Sequence, residues 1–435
     1  MRRYKMDIVR DIFICCLMTS FANGQTITGY WKGAIASEQE GMKIMVDFKS
    51  DSSGITGIIS YPDIGVSKIP VAQTKFVFPD LGFIVHDGSG QPQRFEGKVE
   101  RETITGIWHG YGMEVPFFLN RAQPEPVSYH EEEVDIHNGE ITLSGSFYHA
   151  KKDDKSPAII VIHGSGDQTR DLYRFYAELF AGKGISVLIY DKRGCGKSMG
   201  DWRKADFNDL AQDAAAAANY LKNRKNLNAM QIGFIGFSQG GWIAPLAATK
   251  FSDAAFVINV SGPAVTPREQ EQALVEQLLP SLNLPVEEVR KFIEQRTIFE
   301  KLGKGWDDYW KFREALEQKG VLNFIGAPDS RDSWLWDFYR KVFDYDPVAT
   351  LQKVKCPMLI IYGELDALIP VEKSIKLTEQ AFKEANKTNY SVKIFKSANH
   401  GIGYEPGKGG YQGFPRFATG YTDLLLSWVI DSTGN

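Results

Sequence analysis

The stretch Gln231-Ile-Gly-Phe-Ile-Gly236-Phe-Ser238-Gln-Gly240-Gly-Trp-Ile-Ala-Pro-Leu-Ala-Ala248 decides how this chain is read. A short apolar run, Ile232 to Phe237, enters Gly-Phe-Ser-Gln-Gly and passes at once into small residues that continue as a helix from about Gln239. A serine held in so cramped a turn, with its hydroxyl lifted clear of a sheet, needs neighbours without a Cβ two places before and after it, and Gly236 and Gly240 stand there. Ser238 is therefore the candidate nucleophile. The five-residue spacing is weak alone, and the chain carries a second copy in Gly196-Lys-Ser198-Met-Gly200. That copy follows a polar loop, Asp191-Lys-Arg-Gly, and leads into Asp201-Trp-Arg-Lys rather than a helix, so Ser198 reads as a loop or helix-capping serine.

Outward from this element, strand-like and helical patterns alternate. Val134 to His137 and Ile141 to His149 form an expected antiparallel pair; Ala158 to Ile162, Ser186 to Tyr190, Ala255 to Val260, Met358 to Tyr362 and Tyr390 to Phe395 are buried-type runs. Helices are expected over Asp171 to Ala181, Asp206 to Asn223, Lys373 to Ala385 and Phe417 to Ile430. This alternation predicts an α/β fold, a mostly parallel sheet covered on both faces. From about residue 263 to 347 no strand is legible, and helical patterns carry Trp306, Trp310, Phe312, Trp334, Trp336, Phe338 and Tyr339. Such an insertion is expected to lie over the strand ends as a helical cap, its aromatics either lining an acyl pocket or forming the cap's own core.

Residues 25–121 read differently. Short β-rich runs, Met42 to Phe48, Phe76 to Phe78, Phe83 to Val85 and Val115 to Leu119, are separated by polar turns, which predicts a separate small all-β domain. Gly29-Tyr-Trp31-Lys-Gly33 is echoed by Gly106-Ile-Trp108-His-Gly110, as in a barrel or curled sheet that closes on itself. These tryptophans are either a ligand platform or core residues flanked by bulge glycines. Residues 122–129, with Pro124 and Pro126, form a linker to the domain at 130–435.

Residues 1–24 carry a basic start (Arg2, Arg3, Lys5), an apolar run from Ile12 to Phe21 and small residues at Ala22 to Gly24, the pattern of a cleavable signal peptide. Export to a secreted or periplasmic location is the expectation. The run is too short for a bilayer span, so no integral membrane segment is expected after cleavage. Without the leader's four basic and two acidic residues the balance is 46 basic against 52 acidic, which excludes a nucleic-acid partner. Cys15 and Cys16 leave with the leader; Cys195 and Cys356 make neither a disulfide framework nor a zinc site.

A serine hydroxyl needs a base, and the base needs an acid that holds it in one orientation. Seven histidines occur, and only His400 follows Ser238. If the order is nucleophile, acid, base, His400 is the base. The acid belongs on the loop after Pro357-Met-Leu-Ile-Ile-Tyr362, where Asp366 is chosen over Glu364 because a shorter carboxylate near the loop's tip can be buried against an imidazole. Charge developing on a substrate carbonyl needs fixed N–H donors, and loss of one costs about 3 kcal/mol of barrier. Ile162-His163-Gly-Ser165-Gly166 places the backbone N–H of Ser165 opposite that of Gln239 as an oxyanion hole, with His163 a structural residue of the turn. Gly196-Lys197-Ser198 fails as a phosphate loop because Asp191 stands where the first glycine is required.

His163-Gly-Ser-Gly166, Tyr190-Asp-Lys-Arg193-Gly-Cys-Gly196-Lys-Ser198, Gly236-Phe-Ser238-Gln-Gly240, Gly363-Glu-Leu-Asp366 and Asn399-His400-Gly401 together resemble the α/β-hydrolase superfamily. Within it the chain is similar to secreted bacterial carboxylesterases that carry a β-rich domain before the hydrolase fold, with some likeness to serine aminopeptidases. The motifs span about residues 130 to 431. The resemblance implies an eight-stranded core, a helical cap, a triad of Ser238, Asp366 and His400, and neither cofactor nor metal. The leading expectation is a serine esterase acting on a small-molecule carboxylic ester. The alternatives are a serine peptidase or aminopeptidase, for which Glu269, Glu271, Glu276, Glu287 and Glu288 of the cap are candidates to bind a substrate amine, and a non-catalytic carbohydrate- or ligand-binding protein.

Overall fold

The apolar runs of the second half pair into one sheet in this computed structural model, which describes residues 26–434 apart from 53, 88–90, 151–155, 225–230, 282, 284 and 324. The leader expected over residues 1–24 lies outside the described residues. The chain divides into two units, with the boundary between Pro126 and Val127.

In the first unit, eight strands close into a barrel in which each is antiparallel to the next: β1 (Gly29–Ile35), β2 (Met42–Asp51), β3 (Gly54–Tyr61), β4 (Val66–Val77), β5 (Asp80–Val85), β6 (Gln93–Glu100), β7 (Thr103–Gly110) and β8 (Met113–Arg121). Pairing of β1 with β8 removes both sheet edges. Trp31 and Trp108 are wholly buried and donate their indole N–H groups inside the barrel, to Ile27 O at 2.7 Å and Gln93 Oε1 at 3.1 Å. They are core residues. Phe76 belongs to the end of a twelve-residue strand, β4, rather than to a short run of its own. Its Pro70 and alternating polar residues hid the strand's length.

The second unit carries an eight-stranded sheet in the order β16-β15-β14-β13-β11-β12-β10-β9, with β9 (Tyr129–Asn138), β10 (Ile141–Ala150), β11 (Ala158–Ile162), β12 (Ser186–Tyr190), β13 (Ile232–Phe237), β14 (Ala254–Val260), β15 (Met358–Gly363) and β16 (Tyr390–Phe395). Strands β11 to β16 are parallel to their neighbours among them, while β10 runs antiparallel to β9 and β12. Every residue of β11, β12 and β15 is buried, as expected of strands covered on both faces. The α/β-hydrolase expectation is borne out in this topology, and the carboxyl ends of the parallel strands form the edge where such sheets bind ligands.

Local chemistry fixes the helices around that edge. Asp206 and Asp209 form a reciprocal capping box at the start of α2 in the sheet's helical layer (Phe207–Lys222), with bonds of 2.9 and 3.0 Å; the preceding α1 is Arg174–Ala181. Helix α3 (Gly240–Lys250) contains Pro245, which lacks the N–H that would reach Gly241 O; Asn259 Nδ2 donates to that carbonyl instead, at 3.3 Å. The helix expected from Phe417 starts at Tyr421. Gly420, with φ 81°, cannot continue a helix, and Phe417 pairs with Gly403 in a two-residue strand. The turn expected as helix from Asp171 is a 3₁₀ turn over Arg170–Tyr173.

Between β14 and β15 the described residues form helices only: Pro267–Ser281, Val286–Leu302, Trp306–Glu317, Trp334–Val342 and Pro347–Leu351, with a 3₁₀ turn at Val321–Asn323. Tyr309 and Trp336 are buried at 5.2 Å from each other, and Phe299 lies 4.8 Å from Trp336, so these rings are the insertion's own core. Trp334 and Phe338 face elsewhere, packing on Trp202 at 5.4 and 5.9 Å. Among the described residues no helix is long and apolar enough to cross a membrane.

Candidate active site

Strand β13 delivers Ser238 with φ 53°, a left-handed conformation that a serine holds only under constraint. The constraint is visible on both sides. A Cβ on Gly236 would stand 2.0 Å from Gly240 O, and one on Gly240 would stand 2.6 Å from Ile162 O. The same close approach that forbids side chains there brings the end of β11 against the start of α3.

Two residues at the end of β14 tie the neighbouring loops together. Val260 O accepts the Ser238 N–H at 2.9 Å, and the next residue, Ser261, donates its hydroxyl to His400 O at 2.7 Å. His400 follows β16, and its Nδ1 lies 2.7 Å from Asp366 Oδ2. The Asp366 side chain is fully buried, and its other oxygen accepts the Leu368 N–H at 2.9 Å. With Nδ1–H donating to the carboxylate, Nε2 keeps its lone pair, the form a general base requires. Among the described residues no hydrogen bond joins the half-buried Ser238 hydroxyl to the imidazole.

The acid and histidine loops are laced by backbone bonds. Glu364 N–H donates to Phe395 O at 2.9 Å and Leu365 N–H to Ala398 O at 2.8 Å. A Cβ on Gly363 would lie 2.2 Å from Asn399 O, so only glycine lets the loops meet. Glu364 is exposed and accepts the Ser397 N–H at 2.9 Å as a loop cap, whereas Asp366 is the carboxylate of this loop that bonds the His400 ring.

Gln239 stands at the N-cap of α3, and its N–H is one of the orphan donors every helix start leaves. Among the described residues neither this N–H nor that of the exposed Ser165 donates to a protein acceptor. His163 is buried; its Nε2–H donates to Tyr190 O at 2.5 Å, and burial, reinforced by the Lys192 ammonium, lowers its pKa from 6.5 to about 3. It is a neutral structural residue of the turn.

The loop after β12 is built from its own polar residues. Asp191 accepts the N–H groups of Arg170 at 2.9 Å and Lys197 at 3.0 Å, and Arg193 makes a two-pronged pair with buried Asp213 at 2.6 and 2.8 Å. Ser198 is consumed there: its hydroxyl donates to Asp191 O at 2.6 Å and accepts from Ser144 N at 2.9 Å.

Two residues of this region escaped sequence reading. Ser261 has φ 53° and is buried directly after a strand, a position marked only by the Ser-Gly that follows β14. Lys192, buried between Asp191 and Arg193, offered no signal beyond its place in a charged loop.

Residues 153–407 match the family described as Hydrolase_4, serine aminopeptidase, S33. Esterase EstD of Thermotoga maritima is 27% identical over 286 residues, covering 63% of this chain and 61% of its own length. The acyltransferase drtE of Aspergillus calidoustus is 27% identical over 257 residues, covering 57% of this chain and 81% of that protein. The solved structure of Est1E from Butyrivibrio proteoclasticus with ferulic acid bound superposes with a TM-score of 0.45 at 19% identity, covering 69% of this chain and 100% of that one.

Proposed function

This chain belongs to the serine aminopeptidase, S33 family, and from that premise we propose that it is a serine hydrolase that cleaves carboxylic esters through an acyl-enzyme on Ser238. The observation that carries the proposal is the convergence on β14: Val260 holds the strained Ser238, and Ser261 holds the loop of a histidine already bonded to a buried carboxylate. In this reading His400 Nε2 takes the Ser238 proton as the hydroxyl attacks the ester carbonyl. Asp366 keeps the imidazole in the required tautomer and stabilises the imidazolium. The N–H groups of Ser165 and Gln239 receive the oxyanion. His400 then protonates the leaving alcohol, and water repeats the sequence to release the acid.

Ester rather than aminoacyl substrates are favoured by the cap carboxylates. A peptidase that selects a free amine needs an unpaired acid to receive it, and all five candidates are engaged. Glu269 pairs with Lys373 at 2.9 Å, Glu271 with the buried Arg296 at 2.8 Å, Glu288 with Lys319 at 2.6 Å, and Arg290 meets both Glu287 at 2.5 Å and Glu276 at 3.5 Å. The name of EstD, an esterase, points the same way. A panel of nitrophenyl acyl esters beside aminoacyl amides tests the reading. Turnover of esters with amides at least about 10²-fold slower in kcat/KM is expected, a difference of about 2.7 kcal/mol of barrier; faster amides would overturn it.

Export through the leader at residues 1–24 belongs to the same proposal. Protein recovered from its native host is expected to begin near Gln25 by mass spectrometry, and an intact Met1 terminus would contradict export.

A further inference from the structure

Lys192 lies outside the proposed triad, yet the residue is only 2% exposed and its ammonium reaches both halves of the proposed oxyanion hole. It donates to Gly164 O at 2.9 Å, to Gly166 O at 3.1 Å and to Gln239 Oε1 at 3.0 Å. An ammonium has three N–H donors and no acceptor, so these three oxygens use its full capacity. The Gly164 carbonyl belongs to the same peptide unit as the Ser165 N–H. In a planar trans peptide the two point in opposite directions, so fixing one fixes the other. Lys192 thus pins the Gly164–Ser165 peptide with the Ser165 N–H aimed away from the ammonium, while also gripping the side chain of the residue that carries the second donor.

Resting on the serine-hydrolase reading, we propose that Lys192 is the positioning residue of the oxyanion hole: its charged form locks the Gly164–Ser165 peptide in the working orientation, and loss of its proton releases it. A neutral amine keeps two N–H donors and turns a lone pair towards one of the three oxygens, where attraction becomes repulsion. A structural role explains the group poorly. Among the described residues no carboxylate hydrogen-bonds the ammonium, whose three bonds all go to neutral oxygens, and a buried charge bonded in that way costs more than an apolar side chain of the same shape.

The surroundings place the release within an accessible range. Facing Lys192 are Asp167 from the loop after β11, Cys195 from its own loop, neutral His163 at the end of β11, Gln239 from the elbow, and the Trp202 ring at 5.1 Å, over which the Arg203 guanidinium also lies, at 5.9 Å. Burial lowers the Lys192 pKa from 10.5 to about 8, against the opposing influence of Cys195 and Asp167. The lock is therefore closed below about pH 8 and opens as pH rises through it. The sign is opposite to that of a stabilising group: the unfolded chain binds this proton more tightly, so deprotonation favours the fold while it harms the site.

The test uses the full chain, Lys192→Met and Lys192→Arg, with nitrophenyl acetate as substrate and the Ser165 backbone amide resonance as a second readout. At neutral pH Lys192→Met is expected to lose about 30-fold or more in kcat, approaching the loss of a whole oxyanion donor, with KM nearly unchanged and a melting temperature no lower than the parent's. The parent's kcat is expected to fall through about pH 8, with the Ser165 amide shifting at the same midpoint. Lys192→Arg, which does not titrate there, is expected to recover part of kcat and to lose both the limb and the shift. Parental kcat in folded Lys192→Met, or the same limb and amide shift in Lys192→Arg, would overturn the proposal. Should Lys192→Met not fold, the Arg comparison decides. A parent protein without esterase activity would sink the ester reading instead, and the Ser165 amide titration would still decide the role of Lys192.

Discussion

Two loops of this chain share one spacing, Gly196 to Gly200 and Gly236 to Gly240, and treat their serines in opposite ways. At Ser198 the hydroxyl is spent: it is buried and bonded on both sides, to Asp191 O and Ser144 N, and it closes a loop. At Ser238 the backbone carries the strain, with φ 53°, and the hydroxyl is left free of described partners at the carboxyl edge of the sheet. The glycines differ in the same sense. Gly196 and Gly200 have positive φ and serve a loop, whereas Gly236 and Gly240 are needed because backbone oxygens stand within 2.0 and 2.6 Å of where a Cβ would be. A spacing pattern does not define a nucleophile; a turn compressed between a strand and a helix does.

The largest expected effect breaks the comparison at its centre. Ser238→Ala should lower kcat by about 10⁶-fold, as loss of a nucleophile does in other serine hydrolases, while Ser198→Ala keeps parental turnover. In Ser198→Ala the cost should appear in stability, about 1–3 kcal/mol by denaturant unfolding, because a buried donor and a buried acceptor lose their partner. The acid pair sharpens the contrast at the next level. Asp366→Asn should lose about 10⁴-fold in kcat with KM little changed, since an amide holds the imidazole in the wrong tautomer, whereas Glu364→Gln stays within about tenfold of the parent. Ser261→Ala tests the anchor of the His400 loop. Removing one hydrogen bond to the His400 carbonyl should cost about tenfold in kcat, near 1.4 kcal/mol, without altering which serine reacts.

The smallest effect concerns His163, the histidine that is not a base. Its pKa is lowered from 6.5 to about 3, so the unfolded chain takes up a proton that the folded one refuses. Its stabilising contribution is complete above pH 6.5 and declines as pH falls towards 3, about 1 kcal/mol being lost by about pH 5.5. Thermal melts of the parent and His163→Gln across that range should converge as pH drops; parallel curves would contradict the neutral, buried assignment.

Much of this was legible because buried parallel strands are uninterrupted apolar runs, and β11, β12 and β13 fall where the runs fall. The barrel was less legible. Strands such as β4 alternate polar and apolar residues and include Pro70, so their lengths follow from cross-strand pairing that no local pattern announces. The elbow serine, the late histidine and the acid on its loop each stood beside a recognisable strand end. Lys192 and Ser261 did not stand out, because their roles depend on which carbonyl oxygens the fold brings to them.

The central claim, that strain and placement rather than spacing select the reactive serine, is tested most directly by mapping the adduct of a fluorophosphonate on the intact protein by peptide mass spectrometry. The account predicts a single adduct on the peptide containing Ser238, absent from Ser238→Ala and unchanged in Ser198→Ala. An adduct on Ser198, or labelling that survives in Ser238→Ala, would contradict it.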